Sequence, residues 1–347
     1  MNHSWGENRI LTFLPEARQL HQAILNKDKS VAFPAPRFIS CWISEKCNLD
    51  CTYCYFSETN HDKSHLYIDT HKFLGWLAQV REFGAEALEF SGGGEPTLHP
   101  DFRMIYEHAK NMLGFQIGII THACNDIPLD SMAQHFSYVR CGLDAATVET
   151  HDAIKRNKRK NYWFHKAIEN IKELTRLRDL YKTKAFTVGI KIVLNTINAH
   201  ELPKMIELAQ NLRVDYIQIK CEHSSDNAID MNELPALQAI IDREPWNGVT
   251  RVSGTVYHNR ASVKCFMSPI HTVVTATGKI LQCCFFENRP IGTINQPFNE
   301  AWGSDAHRKV IEMTTIPECD KVDCRWHFYN RRMKDVIEDP LHSASFI

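Results

Sequence analysis

Read for period, the chain alternates short apolar runs rich in β-forming residues with longer amphipathic stretches. The runs are RFISCWIS (37–44), ALEFSGG (87–93), FQIGIITH (115–122), YVRCGLD (138–144), FTVGIKIVLN (186–195) and YIQIKCE (216–222). Between them, segments such as DTHKFLGWLAQVREFG and FHKAIENIKELTRLRDLY carry apolar residues at steps of three and four, the spacing of a helix with one buried face. Strands that alternate with helices predict a parallel sheet, open or curled into a partial barrel. Such folds gather their chemistry at the C-terminal ends of the strands. The pattern runs over residues 36–245; residues 1–35 read as a helical lead-in ending in prolines, and residues 246–347 read differently. There, VVTATGKILQCC suggests a hairpin with its turn at Thr277 and Gly278.

Composition narrows the class. A chain of 347 residues buries enough core to need no disulfide staples. A net charge of -1 gives no general attraction to nucleic acid or to an anionic membrane. The opening MNHSWGENRILTFLPEARQL has no basic stretch followed by an apolar one, and no run of about 18 apolar residues follows elsewhere. The expectation is a soluble cytoplasmic protein, with neither membrane nor nucleic acid as partner. In a reducing compartment its 12 cysteines point to metal binding or catalysis.

Three of those cysteines stand together in EKCNLDCTYCYF (45–56), as Cys47, Cys51 and Cys54. Thiolates suit zinc or iron-sulfur clusters; zinc would need a fourth ligand, for which His61 is the nearest candidate. A cubane cluster held by three thiolates keeps one iron open. With Tyr53 before the last cysteine, and SGGGEPTLHP (91–100) after the second strand, the pattern resembles the radical S-adenosylmethionine enzymes. The resemblance implies a (β/α)6 partial TIM-like barrel, a 4Fe-4S cluster on Cys47, Cys51 and Cys54, and S-adenosylmethionine chelated at the open iron. It further implies Tyr53 near the adenine, Gly93 and Gly94 along the methionine moiety, and Glu95 on its ammonium. Asp144 and Asn195, ending the fourth and fifth strands, fall where ribose or the methionine carboxylate is held. Reductive cleavage to a 5'-deoxyadenosyl radical would call for a flavodoxin- or ferredoxin-type electron donor.

In the tail, Cys265 and Cys283 flank Gly278 in a Cx12GxxxxC pattern, followed by Cys319 and Cys324. This resembles the twitch/SPASM-type domain, which implies a second, auxiliary 4Fe-4S cluster on those four cysteines; Cys284 is a rival for Cys283, and a zinc site is the alternative. Cys41 and Cys141 read as buried thiols and Cys124 as a loop thiol. Cys221, at the end of the sixth strand, is a candidate hydrogen-atom donor, while Lys220 and Glu222 are candidate bases beside Lys191 and His223. KRNKRK (155–160) reads as a solvated surface run, with a phosphate-bearing substrate as the alternative. The function expected is oxidation or epimerisation of a polar, carbohydrate-like or nucleotide-like small molecule. Peptide maturation is the second expectation, with 35 residues too few for a leader-binding domain ahead of the barrel. An iron-sulfur sensor is the third.

Overall fold

The computed structural model describes residues 19–20, 22–23, 26–56, 66–156, 159, 161–181, 186–222, 226–243, 251–253 and 265–313, with Trp326, Asn330, Met333 and Lys334. The strands are β1 (Phe38–Cys41), β2 (Ala87–Phe90), β3 (Gln116–Thr121), β4 (Tyr138–Gly142), β5 (Thr187–Leu194), β6 (Tyr216–Cys221), β7 (Arg251–Ser253), β8 (His271–Val274), β9 (Lys279–Leu281) and β10 (Pro290–Thr293). They form one sheet in the order β10-β9-β8-β1-β2-β3-β4-β5-β6-β7. From β1 to β7 every pairing is parallel, which gives the α/β partial barrel its curl. The helices are α1 (Thr70–Phe83), α2 (Phe102–Asn111), α3 (Leu129–His135), α4 (Val148–Lys155), α5 (Tyr162–Leu180), α6 (Leu202–Asn211), α7 (Leu234–Arg243), α8 (Phe298–Ala301) and α9 (Asp305–Met313).

Local chemistry sets each element's limits. Asp69 caps α1 by accepting from Lys72 N, and Gly84, at φ 120, ends it by donating to Arg81 O and Val80 O. Between these caps Phe73, Trp76, Leu77 and Val80 are buried against the sheet, each contributing about 1.5–3 kcal/mol.

The pleat separates two faces. On β5, Val188, Ile190, Ile192 and Leu194 are buried beneath the helices, and on β6 Ile217, Ile219 and Cys221 follow the same parity. The alternate residues line the barrel lumen. An added Cβ at Gly118 would stand 2.1 Å from the Tyr138 ring, and one at Gly189 would stand 2.2 Å from the Tyr216 ring, so two small residues make room for two large ones. Arg140 lies between those rings, donating to Tyr216 OH at 3.0 Å, while Tyr138 OH donates to Glu89 at 2.5 Å.

Two features extend the expected architecture. A seventh parallel strand, β7, lies beyond residue 245; three residues are too few to show a period. The expected hairpin is β8–β9, turning over Thr275–Gly278 with Gly278 at φ 77, and β8 pairs in parallel with β1. The C-terminal segment thus continues the barrel sheet at its β1 edge. The lead-in packs there too: Phe33 meets Trp302 and His307, and Trp302 Nε1 donates to Pro34 O at 2.8 Å.

Candidate functional site

The loop after β1 crosses the C-terminal edge of the sheet and carries Cys47, Cys51 and Cys54, all half-buried. Its backbone is held from two sides. Asp50 N donates to Lys155 O at 3.0 Å and Thr52 N to Ile154 O at 2.9 Å, satisfying carbonyls that the end of α4 leaves without helical partners. From the β3 side, Asn48 bonds Asn125 at 2.8 Å and the His122 ring at 2.9 Å. Burial pushes the Cys47 thiol up to about 12, with the Glu95 carboxylate adding to it, and the Cys51 thiol up to about 11 against the pull of Lys155. A bound metal would supply the positive charge that favours their thiolate form. Among the described residues, no three His, Cys, Asp or Glu side chains converge on one metal-ion position. A cluster takes its thiolates at separate iron atoms, so three soft donors in one loop fit that group.

The GGGEP segment lies against this loop. Gly94 N donates to Ser44 O at 2.7 Å and Glu95 N to Lys46 O at 2.9 Å. A Cβ on Gly94 would stand 2.3 Å from Lys46 O, so the cysteine loop itself requires glycine there, whereas a Cβ on Gly93 would meet nothing closer than 3.5 Å. The Glu95 carboxylate, 4% exposed, collects donors from neighbouring strands. Its Oε1 accepts from Thr97 N, Thr97 Oγ1 and Thr121 Oγ1, and its Oε2 from His122 N at 3.0 Å.

Beside the loop lies a buried ionic group that sequence reasoning missed. Lys155 Nζ pairs with Asp144 Oδ2 and donates to Tyr53 OH at 3.1 Å; Tyr53 OH donates to Asp144 Oδ2 at 2.6 Å. Asp144 Oδ1 accepts from Val193 N at 2.7 Å, so both its oxygens are engaged within the protein. Burial acts against the Asp144 charge, but Lys155 and the hydrogen bonds outweigh it and hold the carboxyl below its usual range. Lys155, 2% exposed, corrects the reading of KRNKRK as a wholly solvated run; Arg156 and Arg159 of that run are exposed. The available signal was its position four residues after His151, which is buried on the same face of α4.

At the mouth of the lumen, Asn195 Nδ2 donates to Glu222 Oε2 at 3.1 Å, while Asn195 also accepts from Ile197 N and so closes the turn after β5. Lys220 is on the lumen side of β6. Cys221 is not: it is 4% exposed within the hydrophobic core beneath the helices, because successive residues of a strand point to opposite faces. This corrects its expected position beside the reacting centre. Lys191, on β5, enters the lumen, where burial, followed by the nearby charge of Lys220, brings its ammonium down to about 8. His223 lies outside the described residues.

In the tail, the Cys284 thiol beside Cys283, together with burial, holds Cys283 well above the usual cysteine range, with Cys265 adding to it. Three of the tail's cysteines therefore lie within electrostatic reach of one another. Cys319 and Cys324 lie outside the described residues.

Residues 43–209 match the family model for the Radical SAM superfamily. The GTP 3',8-cyclase of Chlorobaculum tepidum is 28% identical over 182 residues, covering 51% of this chain and 52% of that protein. The PqqA peptide cyclase of Bradyrhizobium diazoefficiens is 26% identical over 208 residues, covering 56% and 50%. The chain spans about half the length of these curated relatives. The structure of Streptococcus suis SuiB bound to precursor peptide SuiA superposes with a TM-score of 0.64 at 14% identity, over 85% of this chain and 70% of that one, a likeness of fold. Among the described residues no helix is long and apolar enough to cross a membrane. Residues 43–209 are thus a radical SAM domain.

Proposed function

We propose that the chain oxidises a polar substrate held at the mouth of the barrel lumen. The observation that carries this reading is the joining of the three-cysteine loop to GGGEP through Gly94 and Glu95, directly beside a lumen that presents Lys191, Lys220 and Glu222. Cys47, Cys51 and Cys54 would hold a 4Fe-4S cluster, which together with S-adenosylmethionine would supply the radical chemistry that activates a substrate carbon–hydrogen bond. Glu95 offers the remaining acceptor capacity of Oε2 to the cofactor's ammonium, and Gly93 leaves open space above the loop. Asp144 acts through Tyr53 and Lys155, fixing the phenol and placing a buried cation near Cys51. Asn195 orients Glu222, and Glu222 or Lys220 takes the proton of the substrate's hydroxyl. An auxiliary 4Fe-4S cluster on Cys265, Cys283, Cys319 and Cys324 supplies an electron acceptor, and a flavodoxin- or ferredoxin-type protein the first electron. Epimerisation with Cys221 as hydrogen donor loses support, since that thiol packs under the helices. A peptide substrate is the second reading, favoured by the relative that is a peptide cyclase.

Two clusters predict about eight irons per chain after anaerobic reconstitution, and about four when Cys47, Cys51 and Cys54 are all replaced by Ala. Zinc in the tail, or four irons that vanish in the triple variant, would contradict the oxidase reading.

A further inference from the structure

The lumen between β4, β5 and β6 is lined, level by level, by the residues that alternate with the helix-covered ones. The floor is Arg140, whose guanidinium carbon sits 5.2 Å from the Tyr138 ring centroid and 5.5 Å from that of Tyr216. One level higher, the register places Gly142, Lys191 and Gln218 side by side. Gly142 projects nothing into this space, and the atom nearest to where its Cβ would stand, Thr121 O, is 3.7 Å away. Next come Val193 and Lys220, paired in register, and at the mouth Asn195 and Glu222.

Charge is unevenly distributed along this shaft. Asp144, the nearby carboxylate, is already engaged with Lys155, Tyr53 and Val193 N. Among the described residues the Lys191 ammonium makes no hydrogen bond or ion pair, and the charges that act on it include Lys220, Arg140 and Lys155, opposed by Asp144. Burial first, and then Lys220, lower its pKa. At the mouth, Glu222 is 5% exposed; its Oε2 holds Asn195, but its Oε1 is buried and has no hydrogen-bond partner among the described residues. A buried acceptor left alone has lost its hydration with nothing in return, and a donor supplied by a ligand restores the balance.

We propose that the lumen binds an elongated polar substrate, whose anionic end is taken by Lys191 beside Lys220 above the Arg140 floor and whose hydroxyl or ammonium donor is taken by Glu222 Oε1 at the mouth. This rests on the oxidase reading, which places the reacting carbon at the same mouth. Asn195 stands four positions after Lys191, so about 13 Å of strand rise lies between their backbones. A carboxylate and a phosphate ester share the required anionic chemistry.

Calorimetric titration of the reconstituted full chain, loaded with S-adenosylmethionine, tests the proposal with inorganic phosphate, sorbitol 6-phosphate and gluconate as probes. Phosphate binding should weaken at least tenfold in Lys191→Met, return to within about threefold of wild type in Lys191→Arg, and stay unchanged in Lys204→Met, an exposed lysine on α6. Sorbitol 6-phosphate should bind at least tenfold more tightly than phosphate, and Glu222→Ala should remove that gain. The tighter of the two polyol probes identifies phosphate or carboxylate as the anionic end. Wild-type phosphate binding in Lys191→Met, or a polyol gain that survives Glu222→Ala, overturns the proposal. Formation of 5'-deoxyadenosine by the wild-type chain checks the underlying reading separately: its absence removes that reading, whereas its presence with Lys191-independent binding removes this one alone.

Discussion

The proposed function gives Glu95 a second duty, toward the cofactor's ammonium, beside the internal hydrogen bonds that its carboxylate already accepts. Its Oε1 is filled by three donors from Thr97 and Thr121, so any further donor must come to Oε2, which accepts from His122 N and has the His122 ring Nε2 at 3.5 Å. In Glu95→Gln, the amide oxygen can serve the three donors only if the NH2 turns toward His122 N–H. The variant should therefore lose about tenfold to a hundredfold in S-adenosylmethionine affinity while keeping its iron. Equilibrium dialysis against labelled cofactor checks this; unchanged affinity would mean that Glu95 only braces the loop. At this scale much of the site was readable beforehand. CxxxCxxC and GGGEP are short local patterns of chemistry-bearing residues, so they can be read without any tertiary context. The orientation of Cys221 was also legible: in YIQIKCE it shares parity with Ile217 and Ile219, whereas Lys220 and Glu222 share the other. Lys155 was harder, because a lysine in a basic run is ordinarily solvated and only the tertiary position of Asp144 makes its burial tolerable.

Elements matter here through the way small and large residues alternate inside the barrel. Tyr216 can fill the lumen because Gly189 opposite it has no side chain. Gly189→Ala would put a methyl within the ring, backed by a strand that cannot withdraw. Overpacking of this kind costs about 1–3 kcal/mol, which urea unfolding should detect, and Tyr216→Leu in the same chain should recover part of it. A neutral Gly189→Ala would mean that the floor of the lumen is loose. The six longer strands announced themselves by period, but β7 did not, and neither did the pairing of β8 with β1, since the partner of an edge strand is set by sheet curvature rather than by either sequence.

The whole molecule is tied together where the lead-in meets the C-terminal helices. His307 is buried there against Phe33 and Trp302, accepting from Gly303 N at 3.1 Å, and burial lowers its pKa to about 3. The unfolded chain, with an ordinary histidine near 6.5, binds the proton more readily than the folded one. Stability from this group is therefore complete above pH 6.5 and is lost as pH falls toward about 3. Urea midpoints should drop across that window, and drop less in His307→Asn, which keeps an acceptor for Gly303 N; parallel curves would show that the junction opens before His307 titrates. The central claim is that the three-cysteine loop and GGGEP form one working site. Its most direct measurement is 5'-deoxyadenosine released from S-adenosylmethionine by the anaerobically reconstituted, dithionite-reduced chain. The wild type should form it and Cys51→Ala should not; its absence from the wild type, or equal formation by Cys51→Ala, would contradict the account.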